Sequence, residues 1–161
     1  MAAPHTLNDI REFLAHRRIA MPGISRNPKH FSRLLFADLR RRGYDVVPVN
    51  PAAAEIDGVR CAASMREIAP PVEGALVMTP AGQTRAVLED CEAAGVRDVW
   101  LYRAFGPGAV SGEALEYAAR RGMRVIGGEC PFMFLPDTAW PHRAHNAWRA
   151  MTLRLPPESR A

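Results

Sequence analysis

Residues 18–49 read RIAMPGISRNPKHFSRLLFADLRRRGYDVVPV. Arg18-Ile-Ala-Met21 is a short apolar run that stops at Pro22-Gly23. The stretch Gly23-Ile-Ser-Arg-Asn-Pro28 is rich in turn-formers. From Lys29 to Arg42 the apolar residues Phe31, Leu34, Leu35 and Leu39 recur at helical spacing. Arg40, Arg41 and Arg42 fall in the last turn, and Gly43 ends it. Tyr44 to Val49 is a second apolar run, closed by Pro48 and Asn50-Pro51. Strand, helix and strand in that order predict parallel pairing, because the return trip must cross the sheet on the helix.

The same alternation continues outward. Gly74 to Met78 predicts a strand ending at Thr79-Pro80. A helix follows from about Gln83 to Ala94, with Val87, Leu88, Cys91 and Ala94 inward and Gly95 as its stop. Asp98 to Tyr102 is a further strand, Ser111 caps a helix to Arg121, and Met123 to Ile126 is a fifth strand ended by Gly127-Gly128. Upstream, Thr6 and Asp9 form a capping box that opens a helix to about Ala15. Ser64 to Ile68 is one helical turn. The fold class expected is α/β, a doubly wound parallel sheet of about five strands with a short N-terminal helix and a C-terminal helical tail. Residues 1–137 would form the domain and 138–161 the tail. Trp140, Ala144, Ala147, Trp148 and Met151 share one face of that tail. The face reads as packing on the domain or on a second copy in a homodimer, with a membrane-surface helix as the alternative.

A chain of 161 residues is one domain's worth. With 48% hydrophobic and 24% charged residues, bulk disorder is excluded. No apolar run reaches the ~20 residues of an integral membrane span. Met1-Ala2-Ala3-Pro4-His5 lacks the features of a secretory signal. Cys61, Cys91 and Cys130 are too widely spaced for a CxxC metal site or a disulfide framework, so a reducing, cytoplasmic location is expected. The formal net charge is +4, and all basic residues but Lys29 are arginine, the side chain that grips phosphate with a fixed fork of donors. The arginines are scattered among acids, a pattern that suits a phosphorylated small-molecule ligand better than nucleic acid. Arg40 to Arg42 complement a helix C-terminus.

In a doubly wound sheet, ligands bind beyond the carboxyl ends of the strands, where strand order reverses. The Gly23–Lys29 loop stands at such an end and runs into a helix. Amides at a helix start lack intrahelical partners and favour anions. Ser25 and Asn27 would add hydrogen bonds there, and Arg26 and Lys29 charge. The plainer reading is that Gly23 only makes a tight turn. The loop is no dinucleotide fingerprint, since Gly23, Ser25 and Pro28 stand where that pattern needs three glycines. The acid that usually binds the ribose diol at the end of the second strand is replaced by Asn50-Pro51. A carboxylate there would repel a ribose 3′-phosphate, so its absence favours a phosphorylated adenosine.

Several segments taken in order carry a resemblance. These are Gly23-x-Ser25-Arg26-Asn27-Pro28, Gly43-Tyr44-x-Val46-x-Pro48-Val49-Asn50-Pro51, Gly58-Val59-x-Cys61, Thr79-Pro80, Gly95-Val96 before Trp100, and Gly122-x-x-Val125-Ile126 leading to Cys130-Pro131. Over roughly residues 14–135 the chain resembles the stand-alone CoA-binding domain proteins, Rossmann-like and similar to the CoA-binding domain of the succinyl-CoA synthetase α subunit. The resemblance implies a CoA or acyl-CoA ligand. Gly23, Ser25, Arg26, Asn27, Pro28 and Lys29 would hold its phosphates. Asn50 and Pro51 would flank the adenosine, and Thr79 and Pro80 its other side. Cys130 and the loop after Tyr102 would lie near the pantetheine arm. The chain departs from its relatives at Ser32, where glycine is common, and at Pro22, where a small or aliphatic residue is usual.

No residue is assigned a catalytic role. Cys130 reads either as a reactive thiol or as a small core residue. His142 and His145 share a helix face but lack the third ligand a metal needs. The phosphohistidine of the synthetases belongs to a second domain, so ligase activity is not expected. The function expected is non-catalytic CoA binding. The alternatives are an NAD(P)-binding oxidoreductase-like protein and a scaffold that docks a partner through its aromatic tail.

Overall fold

The computed structural model describes residues 5–103, 106–137 and 158. Helix α1 (Leu7–Leu14) starts from the expected capping box, in which the Thr6 side chain and the Asp9 side chain each bond the other's backbone amide. Strand β1 (Arg18–Pro22), helix α2 (Phe31–Arg41) and strand β2 (Asp45–Val49) make the first crossover unit. A small hairpin follows, β3 (Glu55–Ile56) and β4 (Val59–Arg60), and then one 3-10 turn at Met65–Glu67. Strand β5 (Gly74–Val77), helix α3 (Ala81–Ala93), strand β6 (Asp98–Tyr102), helix α4 (Gly112–Arg120) and strand β7 (Arg124–Glu129) complete the sheet, and a 3-10 turn at Pro131–Met133 follows it.

The main sheet runs β2-β1-β5-β6-β7, and every pairing in it is parallel. Side chains alternate across a strand, so each strand feeds two cores. Ile19, Met21, Leu76 and Trp100 join Ile10 and Phe13 of α1 and Leu35, Phe36 and Leu39 of α2 in one apolar cluster. Ala20, Ala75, Val77, Val99 and Leu101 join Leu88 and Cys91 of α3 and Ala114, Tyr117 and Ala118 of α4 in the other. The sheet is therefore wound on both faces, α1 and α2 on one and α3 and α4 on the other. Trp100 is fully buried at the centre, and its indole N–H donates to the Glu129 carbonyl at 2.9 Å.

Two expectations are corrected. Helix α2 begins at Phe31 rather than Lys29, because Lys29 and His30 are held in a turn by Asn27. Strand β7 does not end at Gly127-Gly128 but runs through them to Glu129. Gly128, at φ +85°, absorbs a register shift opposite Leu101 and Tyr102, a bulge that glycine accommodates. The β3–β4 hairpin was not expected. Among the described residues no helix is long and apolar enough to cross a membrane. The expected tail, with Trp140, His142, His145 and Trp148, lies outside the described residues.

Candidate functional site

Strand β1 lies between β2 and β5, and the chain leaves β1 and β5 for helices on opposite faces. The two loops diverge at their carboxyl ends and open a crevice between them. That crevice is a cleft of about 800 Å³. One wall is the β1–α2 loop, with Gly23, Ser25, Arg26 and His30. Asn50 and Pro51 after β2 form the second side, and Thr79, Pro80 and the α3 residues Gln83, Ala86, Val87 and Asp90 the third. Met65 from the 3-10 turn closes the apolar end with Val49 and Met78.

The two loops approach each other as closely as backbone permits. Gly23 has φ +85°, and a Cβ built on it would stand 2.5 Å from the Thr79 amide nitrogen and 2.8 Å from the Met78 carbonyl carbon. Only glycine meets both conditions. Thr79 is buried, and its neighbour Thr84 donates to the Ala109 carbonyl at 2.7 Å, tying the start of α3 to the segment before α4.

The β1–α2 loop is braced by its own side chains. The Ser25 amide donates to Ser32 Oγ at 3.0 Å, the Asn27 amide to Ser25 Oγ at 3.1 Å, and the Lys29 amide to Asn27 Oδ1 at 3.0 Å. His30 caps α2, its Nδ1 accepting the Ser32 amide at 3.1 Å and lying 2.9 Å from Ser32 Oγ. An accepting Nδ1 puts the proton of a neutral ring on Nε2. The hydroxyl of Ser32, fully buried, thus holds the loop to the start of α2. This corrects the picture of a loop with its amides free: among the described residues, only Ile24, Arg26 and Phe31 between positions 23 and 33 have amides without an acceptor. On the other wall, the first turn of α3 carries no side-chain cap.

Asn50 is a brace as well. Its Nδ2 donates to the Ile24 carbonyl at 2.8 Å, and its Oδ1 accepts the Ala52 amide at 2.8 Å. Asp90, the carboxylate among the lining residues, accepts the Met65 amide at 2.6 Å and pairs with Arg66 at 3.1 Å. The lining therefore presents apolar side chains beside the engaged Asp90 carboxylate at the Met65 end, and donors of hydrogen bonds and positive charge at the Arg26–His30 end.

The CoA binding domain family matches residues 17–136. The chain belongs to that family. Among the relatives of this CoA-binding domain is the α subunit of an ADP-forming acetate–CoA ligase II of Pyrococcus furiosus, 34% identical over 125 residues. That match takes in 73% of this chain but 27% of the ligase subunit, so the chain spans about a quarter of its length. A second relative, the uncharacterised protein YneT of Bacillus subtilis, is 29% identical over 123 residues, which are 76% of this chain and 88% of YneT. A solved structure of a hypothetical protein from Pyrococcus horikoshii superposes with a TM-score of 0.71 at 28% identity, covering 81% of this chain and 92% of that one.

Seven of the sequence-predicted residues of this CoA-binding domain line the cleft: Gly23, Ser25, Arg26, Asn50, Pro51, Thr79 and Pro80. Asn27, Pro28 and Lys29 are exposed on the far part of the loop and do not line it. Cys130 does not line it either. Its side chain is buried in the cluster on the α1–α2 face, and burial pushes its thiol above the ordinary range. Burial likewise raises Cys61, and it drives Cys91 up to about 12. None of these thiols is activated as a nucleophile. No cluster of metal-ligating side chains occurs among the described residues. Sequence reasoning missed His30, Met65, Gln83, Ala86 and Asp90. Gln83, Ala86, Val87 and Asp90 do form a helical stripe, but periodicity marks a face without saying what it faces.

Proposed function

We propose that the chain binds CoA or an acyl-CoA in the cleft between the β1 and β5 ends, and that it does so without catalysing a reaction. The observation that carries this reading is the state of Asn50. In a dinucleotide site the residue at the end of the second strand offers a carboxylate to the ribose diol. Here the position is neutral, and both ends of its amide are engaged by Ile24 and Ala52. No charge there repels a 3′-phosphate, and no carboxylate there holds a 2′,3′-diol.

The remaining lining supports the same ligand. Val49, Met65, Met78 and Val87 offer apolar walls to a purine. Arg26, the Nε2–H of His30 and the first turn of α3 offer donors to a diphosphate. Gly23, Ser25 and Thr79 shape the floor between them. Lys29, Asn27 and Pro28 are turn-formers of the loop in this account rather than phosphate ligands, and Cys130 is a core residue.

Calorimetric titration with CoA, dephospho-CoA and NAD tests the reading. CoA should bind tightest, and dephospho-CoA more weakly. A preference for NAD would replace the proposal with the oxidoreductase-like alternative, and silence from all three would remove it.

A further inference from the structure

Arg33, on the first turn of α2, does not line the cleft, yet it is tied to the loop that does. Its side chain is 10% exposed, and the guanidinium is used on two sides. Nε donates to Asp57 Oδ2 at 3.1 Å, and Nη2 pairs with Asp57 Oδ1. Nη1 donates to the carbonyls of Ser25 at 3.3 Å and Arg26 at 3.1 Å. Asp57 sits at the tip of the β3–β4 hairpin, at φ +49°, followed by Gly58 at φ +77°. This two-residue Asp-Gly turn is of the kind that joins two-residue hairpin loops. The Arg33 guanidinium holds the Asp57 carboxyl below its ordinary range.

The bonds set the direction of the loop's peptide groups. In a trans peptide the N–H of one residue points opposite to the C=O of the residue before it. Holding the Ser25 carbonyl against Arg33 turns the Arg26 amide, which has no acceptor, away from the guanidinium. The Ile24 carbonyl is held in the same manner by Asn50. Three consecutive carbonyl oxygens are thus pinned by side chains. Of the three N–H groups on the reverse of those peptides, Ser25 and Asn27 donate to Ser32 Oγ and Ser25 Oγ, which leaves the Arg26 amide as the donor available to an anion.

We infer that Arg33 is a positioning residue, which holds the Gly23–Asn27 loop in its anion-accepting form, and that the β3–β4 hairpin serves the site by anchoring Arg33 through Asp57. The inference rests on the CoA reading of the cleft for its ligand, but not for the brace itself. Loop order set before binding removes an entropic cost of binding.

Two variants test it. Asp57→Asn keeps a residue that tolerates positive φ before glycine, and it abolishes the two-oxygen charged clamp. Arg33→Lys keeps the charge and loses the fork. Three quantities are read: CoA affinity by calorimetry, hydrogen exchange of the peptide covering 23–30 in ligand-free protein, and the urea midpoint. Asp57→Asn removes a negative charge close to the site, so simple electrostatics makes CoA bind tighter. The brace makes it bind about ten-fold weaker, with loop exchange about ten-fold faster and β5 and β6 exchange unchanged. Arg33→Lys should behave alike. Unchanged or tighter CoA binding in Asp57→Asn overturns the inference, as does unchanged loop exchange. Should the wild-type protein fail to bind CoA, the ligand reading falls by itself, and the exchange comparison still decides the brace: faster in both variants keeps it, unchanged discards it.

Discussion

Replacing Gly23 by alanine should destabilise this fold far more than the same replacement at Gly43, although both glycines have a left-handed backbone. Their φ angles are +85° and +92°. A Cβ at Gly43 has nothing within 4 Å, so its cost is conformational alone, about 1–2 kcal/mol. At Gly23 the same conformational cost applies, and the added carbon lands 2.5 Å from the Thr79 amide nitrogen, 2.7 Å from Thr79 Cγ2 and 2.8 Å from the Met78 carbonyl carbon. Two of those three atoms are backbone of the strand end beside β1, and they cannot rotate away. Overpacking of this kind adds about 1–3 kcal/mol. Gly23→Ala should therefore cost about 2–5 kcal/mol, a large share of the ~5–15 kcal/mol typical of a domain. Urea unfolding followed by tryptophan fluorescence measures both variants side by side. Equal losses at the two positions would refute the claim that the β1 and β5 loops meet in backbone contact, and with it the closed base of the cleft.

Other expectations follow from the same geometry. Arg26→Ala should weaken CoA by about 1–2 kcal/mol, while Lys29→Ala, off the cleft, should change it by less than about 0.5 kcal/mol, both read by calorimetry. Trp100→Phe removes the indole N–H that donates to the Glu129 carbonyl and opens space in a closed core, so it should cost about 1–3 kcal/mol in urea unfolding. In the native protein iodoacetamide should label Cys61 before Cys91, since Cys91 is fully buried and its thiol is raised to about 12; equal rates would place Cys91 outside the core. Three carboxyls are held below their ordinary range: Glu73 by the amides of Arg18 and Arg17, Asp57 by Arg33, and Asp38, against the upward push of its burial, by Arg42 and Arg41. A lowered folded pKa gives stability that is present above the unfolded value and lost as pH falls through the folded one. The urea midpoint should thus fall on acidification below about pH 4, and Asp38→Asn should flatten that fall.

The parts of the fold that could be read from sequence are those whose signals are local. The Thr6–Asp9 capping box, the apolar runs of β1, β2, β5 and β6, and the glycines after α2 and α3 each declare themselves within a few residues. The start of α2 misled because Asn27 and Ser25 draw the chain into side-chain turns, which resemble a helix onset in composition. Strand β7 continued past two glycines because Gly128 takes up a register shift against β6, a pairing that lies outside β7's own sequence. The β3–β4 hairpin does carry an Asp-Gly turn signal, but its arms of two residues each are too short to show alternation. The cleft was half legible. The wall made by Gly23, Ser25 and Arg26 follows a strand end directly. The wall made by Gln83, Ala86 and Asp90, and the Met65 closure, come from elements brought together only by the crossing of the sheet. Cys130 illustrates the same limit: a strand's carboxyl end is visible in the sequence, but not that its side chain joins the core cluster on the α1–α2 face rather than lining the cleft.

A crystal structure of the protein grown with CoA is the most direct test of the central claim. The account predicts density for the diphosphate between the Ser25–Arg26 segment and the first turn of α3, with the purine against Met65 and Met78. Density for CoA elsewhere on the molecule, with that cleft empty, would contradict it.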